Sequence, residues 1–254
     1  MFVNEYSHWT RPVQIVPVID LMQGQVVHAR RGARDSYQPL QSGLCSGCDP
    51  LDVVGGLLAL YPFETLYIAD LDAIRATADH SECIALLRRH FAGLTLWVDA
   101  GIGNWTALEL WRERDLGHAV IGSESLADLG ILERLRSEQL HNGHAKDFPI
   151  LSLDFRKREF LGPGKLLQAP MLWPERVIAM TLGRVGSEEG PDLERLQDLQ
   201  QRAPGKRIYA AGGVRNGADL ERLAQAGVAG VLVATALHDG RIGRNEIAAQ
   251  TSNA

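Results

Sequence analysis

The stretch Ile15-Val16-Pro17-Val18-Ile19-Asp20 is an apolar run that closes on an aspartate, and the second half of the chain repeats it. Its counterpart is Ile150-Leu151-Ser152-Leu153-Asp154. The pair Gly101-Ile102, which follows a later apolar run, is likewise matched by Gly213-Val214. Repetition of segments in the same order predicts two similar half-structures.

Eight apolar runs of strand length are spread along the chain, and most of them are continuous rather than alternating. Continuous apolar runs are typical of parallel strands that are buried on both faces. The predicted strands cover residues 15–20, 65–70, 94–99, 118–122, 148–154, 176–182, 207–211 and 230–234.

Helical patterns lie between these strands. The predicted helices cover residues 51–58, 83–89, 105–114, 126–135, 166–172, 193–199, 219–223 and 244–250. The fifth is weakened because Pro170 interrupts it. Eight strands alternating with eight helical stretches predict an α/β protein with a (β/α)8 TIM barrel. An open doubly wound sheet would also alternate, but the half-chain repeat favours a two-fold half-barrel repeat, with residues 1–254 as a single domain.

Composition limits the classes of partner. The 254 residues are 45% hydrophobic and carry a formal net charge of −5, with no basic stripe, so nucleic acid is not an expected partner. No apolar run approaches the length of about 18 residues that a membrane span needs. Residues 1–6 lack the basic and apolar regions of a secretory leader. We therefore expect a soluble cytoplasmic protein that acts on a small molecule, and composition leaves its oligomeric state open.

Three cysteines, Cys45, Cys48 and Cys83, do not make a disulfide framework. Cys45 and Cys48 form a CxxC motif, which can hold a metal or act as a redox pair. The motif stands alone in a predicted loop, whereas structural zinc usually needs four ligands. Reduced thiols without a metal are therefore the favoured interpretation.

Four aspartates end predicted strands: Asp20, Asp70, Asp99 and Asp154. In a TIM barrel the carboxyl ends of the strands form the active face. Asp20 and Asp154 belong to strands one and five, on opposite sides of the ring. Two facing carboxylates can share acid and base work if their surroundings separate their pKa values. The alternative for a strand-end aspartate is capping of the loop that follows.

Small residues after strands seven and eight indicate a phosphate site. Gly212 and Gly213 follow strand seven, and Ala234 and Thr235 follow strand eight. TIM barrels frequently bind phosphate there, through loop amides and the start of a short helix. The alternative for the glycine pair is a tight turn that needs positive φ.

A second phosphate site in the first half is less well supported. Gly101, Gly122 and Ser123 occupy the corresponding positions. Asp99 stands close to this turn, however, and a carboxylate repels a phosphate unless it points away or meets a cation.

Other polar residues lie on the same face. Thr181 ends strand six, where its hydroxyl could bind substrate or orient Asp154, or merely suit a strand. His28 begins a long loop over residues 30–48, in which Arg30, Arg31 and Arg34 could close over an anionic substrate or be solvated.

Taken in order, these motifs resemble the histidine-biosynthesis isomerase family over nearly the whole chain. The carriers are Val16–Leu21, Tyr67–Ala73, Leu151–Asp154 with Arg156, Thr181 with Gly190-Pro191-Asp192, and Ala211–Val214. The resemblance implies an aldose–ketose isomerase that performs an Amadori rearrangement on a phosphorylated ribosyl-amine, without metal or organic cofactor. It implies Asp20 as base, Asp154 as acid and Thr181 as an assisting group, with Arg156 among the substrate-binding residues.

The chain departs from the family pattern on the substrate side. The third-strand turn reads Asp99-Ala100-Gly101-Ile102-Gly103 where Gly-Gly-Gly-Ile-Arg is usual, and His28 replaces an arginine. These changes indicate a divergent branch. One alternative is therefore an isomerase or lyase acting on a smaller, mono-phosphorylated sugar compound, which the resemblance connects with one-carbon carrier cofactor biosynthesis. Another is a phosphate-ligand binding barrel without catalysis.

Overall fold

The computed structural model describes residues 12–142 and 148–251. Residues 1–6, for which no leader is expected, lie outside these ranges. The fold is built on eight parallel strands, which run in chain order from β1 to β8. They are β1 (Gln14–Met22), β2 (Thr65–Asp70), β3 (Thr95–Asp99), β4 (His118–Gly122), β5 (Ile150–Arg156), β6 (Arg176–Thr181), β7 (Arg207–Ala211) and β8 (Gly230–Val233).

The strands close into a barrel. Each pairs in parallel with the next, and β8 returns to β1 with Gln14 opposite Gly230. A Cβ atom at Gly230 would lie 2.6 Å from the Tyr209 ring and 2.7 Å from the Gln14 carbonyl oxygen. Glycine is therefore required at the seam. The predicted (β/α)8 TIM barrel is confirmed, and the predicted strands agree with the observed ones to within two residues.

The two half-barrels share a further feature. In each, the strand that carries the aspartate continues into an antiparallel hairpin. The strand Gln25–His28 pairs with β1 and places Val27 opposite Asp20. The strand Glu159–Leu161 pairs with β5 and places Leu161 opposite Asp154. The hairpins hold both aspartates rigidly at the top of the barrel.

The connections are mostly helical. They are α1 (Pro50–Leu60), α2 (Leu71–Ile74), α3 (Ser81–His90), α4 (Trp105–Arg114), α5 (Gly130–Asn142), α6 (Leu193–Arg202), α7 (Gly217–Gln225), α8 (Thr235–His238) and α9 (Arg244–Thr251).

Two predicted helices differ from the observed structure. The helix predicted at 126–135 begins only at Gly130, after a short 3-10 turn at Ser123–Ser125. The helix predicted at 166–172 is two 3-10 turns, Gly164–Gln168 and Pro170–Leu172, because Pro170 has no N–H and cannot continue an α-helix.

Apolar side chains fill two layers. One lies between the helices and the outer face of the strands, and the other fills the barrel interior. In the interior the rings of Trp97 and Tyr209 meet edge to face with centroids 5.0 Å apart. This packing fills the lower part of the barrel interior. In the part of the chain that the structure describes, no helix is both long and apolar enough to cross a membrane.

Candidate active site

An open cavity lies inside the barrel at the carboxyl ends of the strands. Three aspartates line it: Asp20 on β1, Asp99 on β3 and Asp154 on β5. Its polar lining also includes Tyr67 and residues contributed by the loops, among them Glu124. The cavity is therefore acidic where these strands end.

Asp20 is the least constrained of the three carboxylates. Its side chain is partly buried, and it accepts no hydrogen bond from the residues described by the structure. Burial raises the pKa of Asp20 from 3.8 to about 7, and the nearby Arg34 guanidinium opposes that rise. A carboxylate without fixed partners is free to take a proton from a bound molecule.

Asp154 is held firmly. Its Oδ1 accepts the Ser152 hydroxyl at 2.7 Å, and its Oδ2 accepts the Glu124 backbone N–H at 3.2 Å. The Asp154 N–H donates to the Ser123 hydroxyl at 2.8 Å. Burial raises the pKa of Asp154 to about 6, and the hydrogen bonds from Ser152 and Glu124 limit the rise.

Asp99, the last residue of β3, is a third member of this group. It is 7% exposed, and its Oδ1 accepts the Gly101 N–H at 3.1 Å. Burial first, and then the Asp154 charge, raise the pKa of Asp99 to about 7. Its position at the end of a strand was the signal that could have placed it in the site.

The loops after β7 and β8 form one end of the cavity, called here the second-half end. It has the features expected of a phosphate site. Gly212, Gly213, Ala234 and Thr235 all line it, together with Arg241. The two glycines have φ of +98° and +84°, and a Cβ at Gly213 would lie 2.2 Å from the Gly190 carbonyl oxygen. Only glycine permits this approach of the two loops.

His28 adds an imidazole to the same end. Its Nε2 lies 3.2 Å from the Thr235 hydroxyl. Burial is the main cause that lowers the pKa of His28, and burial lowers the pKa of His238 to about 4. The His238 Nδ1 lies 2.9 Å from the Ser42 hydroxyl, which fastens the long loop to α8.

The turns after β3 and β4 form the opposite end of the cavity, the first-half end. Its small residues contact other protein groups. A Cβ at Gly101 would lie 2.9 Å from the Ile74 Cα, so this turn packs against the β2 loop rather than against the cavity. Ser123 is fully buried. Its hydroxyl accepts the Asp154 N–H and donates to the Leu161 carbonyl at 2.6 Å. Gly122 lies beneath the carboxylates of Asp99 and Asp154. In the structure, these predicted phosphate ligands contact other protein groups instead.

Thr181 and Arg156 also lie apart from the cavity lining. Thr181 is buried on the helix-facing side of β6, in a small crevice with Asp192 and Arg195, because the alternation of the strand turns Met180 inward instead. Arg156 is exposed at the end of β5, opposite Glu159 of the hairpin.

The long loop over residues 30–48 covers the cavity. Arg34 lies in a 3-10 turn, Arg34–Ser36, and forms an ion pair with Glu124 across the opening. Arg31 pairs at the surface with Glu189, whereas Arg34 lines the cavity.

Two other predicted features fall outside the cavity. Asp70 caps α2 through the Ala73 N–H and accepts the His80 N–H at 2.7 Å, which makes it a structural residue. The three cysteines are free thiols. Within residues 12–142 and 148–251, no group of three or more His, Cys, Asp or Glu side chains is arranged to hold a metal ion.

Comparison with known proteins identifies the family. A family model described as "Histidine biosynthesis protein" matches residues 14–243. The chain belongs to this family.

Its relatives differ in what is known of them. An uncharacterized protein of Methanocaldococcus jannaschii is 28% identical over 92% of this chain and 97% of its own length. A Lactiplantibacillus plantarum protein is 26% identical over 93% of this chain and 99% of its own length, and a Listeria innocua protein is 27% identical over 92% and 97%. Both are named isomerases of an imidazole-4-carboxamide that bears a 5-phosphoribosyl and a 5-phosphoribosylamino group. The similarity supports an isomerase and leaves its substrate open.

Proposed function

We propose that the protein is an aldose–ketose isomerase that performs an Amadori rearrangement on a phosphorylated sugar amine. The observation that carries the proposal is the placement of Asp20 and Asp154 on strands one and five, lining one cavity. Both carboxyl groups have raised pKa values near neutrality, which suits proton transfer in both directions.

The reaction needs one acid and one base. Asp154 protonates the ring oxygen of the sugar, and the C1–O bond breaks to give an open-chain Schiff base. Asp20 removes the proton at C2, and the electron pair moves to form an enolamine. The enolamine gains a proton at C1 and loses one from the C2 hydroxyl, which gives the ketose. The family resemblance supplies this division of roles.

The pKa values of the two carboxyl groups run opposite to these acid and base roles. Asp154, the assigned acid, has the lower pKa because hydrogen bonds from the Ser152 hydroxyl and the Glu124 N–H favour its ionised form, and Asp20 has the higher one. An acid–base pair of this kind still works, because a fraction of the molecules carries the proton on Asp154 while Asp20 is ionised. This fraction is greatest between the two pKa values.

The phosphate of the substrate anchors at the second-half end of the cavity. The N–H groups of the glycine turn after β7, the Thr235 hydroxyl and the Arg241 guanidinium supply hydrogen bonds and positive charge there. Such an anchor would place the sugar carbons over Asp20 and Asp154.

A substrate with one phosphate is favoured over one with two. The first-half end carries Asp99 and Glu124, and its small residues are occupied by protein hydrogen bonds. A second phosphate there would meet carboxylates rather than amides. The two-phosphate compound that the isomerase relatives are named for is therefore the second candidate substrate.

Turnover by Asp20→Asn and Asp154→Asn variants tests the assignment. The assay is conversion of an N-substituted ribosylamine 5-phosphate to its aminoketose. We expect each variant to lose roughly 10²–10⁴-fold in kcat, the range for removal of a general acid or base. Asp198→Asn, which removes an exposed carboxylate from α6, is the matched control and should keep full activity. Activity unchanged in both site variants would refute the mechanism.

A further inference from the structure

The two ends of the cavity carry opposite electrostatic character. In the half-chain repeat, Asp99 takes the place of Ala211 and Glu124 takes the place of Thr235. The second-half end presents neutral residues and Arg241, which also pairs with Glu188 and Asp239, whereas the first-half end presents Asp99, Asp154 and the Glu124–Arg34 pair. A substrate that fits both ends has to be dipolar.

At the acidic end, the Tyr67 hydroxyl and the Asp99 Oδ2 have no hydrogen-bond partner in the described part of the protein. Tyr67 is 2% exposed and lines the cavity, and its hydroxyl makes no hydrogen bond with any described residue. Asp99 is 7% exposed, and its Oδ2 is likewise without a hydrogen bond to the described residues. These two groups therefore mark a place for a ligand group.

The neighbouring cation does not occupy that place. Arg34 reaches the cavity from the loop, but its guanidinium is held in the ion pair with Glu124. No lysine or arginine in the described ranges forms an ion pair with Asp20, Asp99 or Asp154. The acidic end can thus accept one more positive charge.

We propose that the acidic end, formed by Asp99, Tyr67 and Asp154, binds a protonated amine of the substrate. This inference rests on the proposed function and names its substrate class: a phosphorylated sugar that carries an ammonium group at the end away from its phosphate. An ammonium group has three donors and no acceptor, and carboxylate and phenol oxygens are acceptors. Hydrogen bonds between an ammonium group and buried carboxylates are among the strong ones.

The test compares two ligands that differ only in this charge, 4-aminobutyl phosphate and its isostere pentyl phosphate. Their dissociation constants are measured calorimetrically with the full chain. We expect 4-aminobutyl phosphate to bind at least about tenfold more tightly. Asp99→Asn should abolish that preference, and Asp198→Asn should leave it intact, with thermal melts confirming that both variants fold.

Proton release supplies a readout that needs no variant. An ammonium group favours the ionised carboxylates, and the pKa of Asp99 is about 7 in the empty cavity. Binding of 4-aminobutyl phosphate at pH 6.5 should therefore release more protons than binding of pentyl phosphate does. Calorimetry in buffers of different ionisation enthalpy measures the difference.

The outcomes separate this inference from the proposed function. Equal affinity and equal proton release for the two ligands would overturn the amine site and leave the isomerase assignment standing. A preference that Asp99→Asn removes, combined with no turnover in the isomerase assay, would support the amine site and refute the isomerase. Binding of neither ligand would overturn the amine site together with the phosphate anchor.

Discussion

Asp99 and Asp154 each place a carboxylate oxygen over the same glycine. A Cβ atom at Gly122 would lie 3.1 Å from the Asp99 Oδ2 and 3.4 Å from the Asp154 Oδ2. After burial, the nearby Asp154 charge is the next cause that raises the pKa of Asp99. The close approach depends on the absence of a side chain at Gly122.

Replacing Gly122 by alanine should disturb the two carboxylates without disturbing the backbone. The φ of Gly122 is −74°, which alanine adopts readily, but its methyl group would displace Asp99 or Asp154 by a few tenths of an ångström. We expect roughly a tenfold or greater loss of kcat, since small misplacements of catalytic groups are costly. Gly55→Ala, on α1 with open space around it, is the control and should leave kcat unchanged.

The pH dependence of kcat/KM should be bell-shaped. The base must be ionised and the acid protonated, and the pKa values of Asp154 and Asp20 are about 6 and about 7. The maximum should therefore lie at about pH 6.5 whichever residue is the acid. A profile that is flat between pH 5 and 8 would show that these two groups do not transfer the proton.

Asp99→Asn should stabilise the folded protein at high pH. The folded pKa of about 7 exceeds the ordinary aspartate pKa of 3.8, so the folded state keeps a proton that the unfolded chain loses. The stability of the wild type thus falls as pH rises from about 4 to 7, and asparagine removes this loss. We expect a gain on the order of a few kcal/mol at pH 8 and almost none at pH 4, measured by denaturant unfolding. A gain of equal size at both pH values would argue against the raised pKa.

Thr235→Val should weaken phosphate binding. The Thr235 hydroxyl lines the second-half end of the cavity, and valine keeps its shape without the donor. Loss of one hydrogen bond to a charged group should weaken the binding of inorganic phosphate by about tenfold. Thr106→Val, exposed on α4, serves as the control. An unchanged dissociation constant in Thr235→Val would place the anchor elsewhere.

The barrel was predictable because its signals are local and repeated. Continuous apolar runs, helix-start residues and the half-chain repeat all indicate the same fold, and the strand-end rule placed Asp20 and Asp154 in one cavity. Only the connection around Pro170 and the start of α5 at Gly130 departed from the predicted helices.

The electrostatics of the site could not be predicted in the same way. The partnership of Arg34 with Glu124 joins residues far apart in sequence, so no spacing reveals it. The orientation of Thr181 depends on the register of β6, which turns Met180 toward the cavity. Asp99 was visible as a strand-end carboxylate, but its approach to Asp154 depends on Gly122, which lies between them on β4 and has no side chain.

The most direct test of the proposed isomerase is a comparison of kcat/KM for two substrates with purified protein. One is an N-substituted ribosylamine 5-phosphate with an amino group on its N-substituent, and the other is the two-phosphate aminoaldose that the isomerase relatives are named for. We expect the single-phosphate compound to be isomerised faster than the two-phosphate compound, and we expect Asp20→Asn to abolish this isomerisation. Isomerisation of the two-phosphate compound alone, or turnover that Asp20→Asn leaves intact, would contradict it.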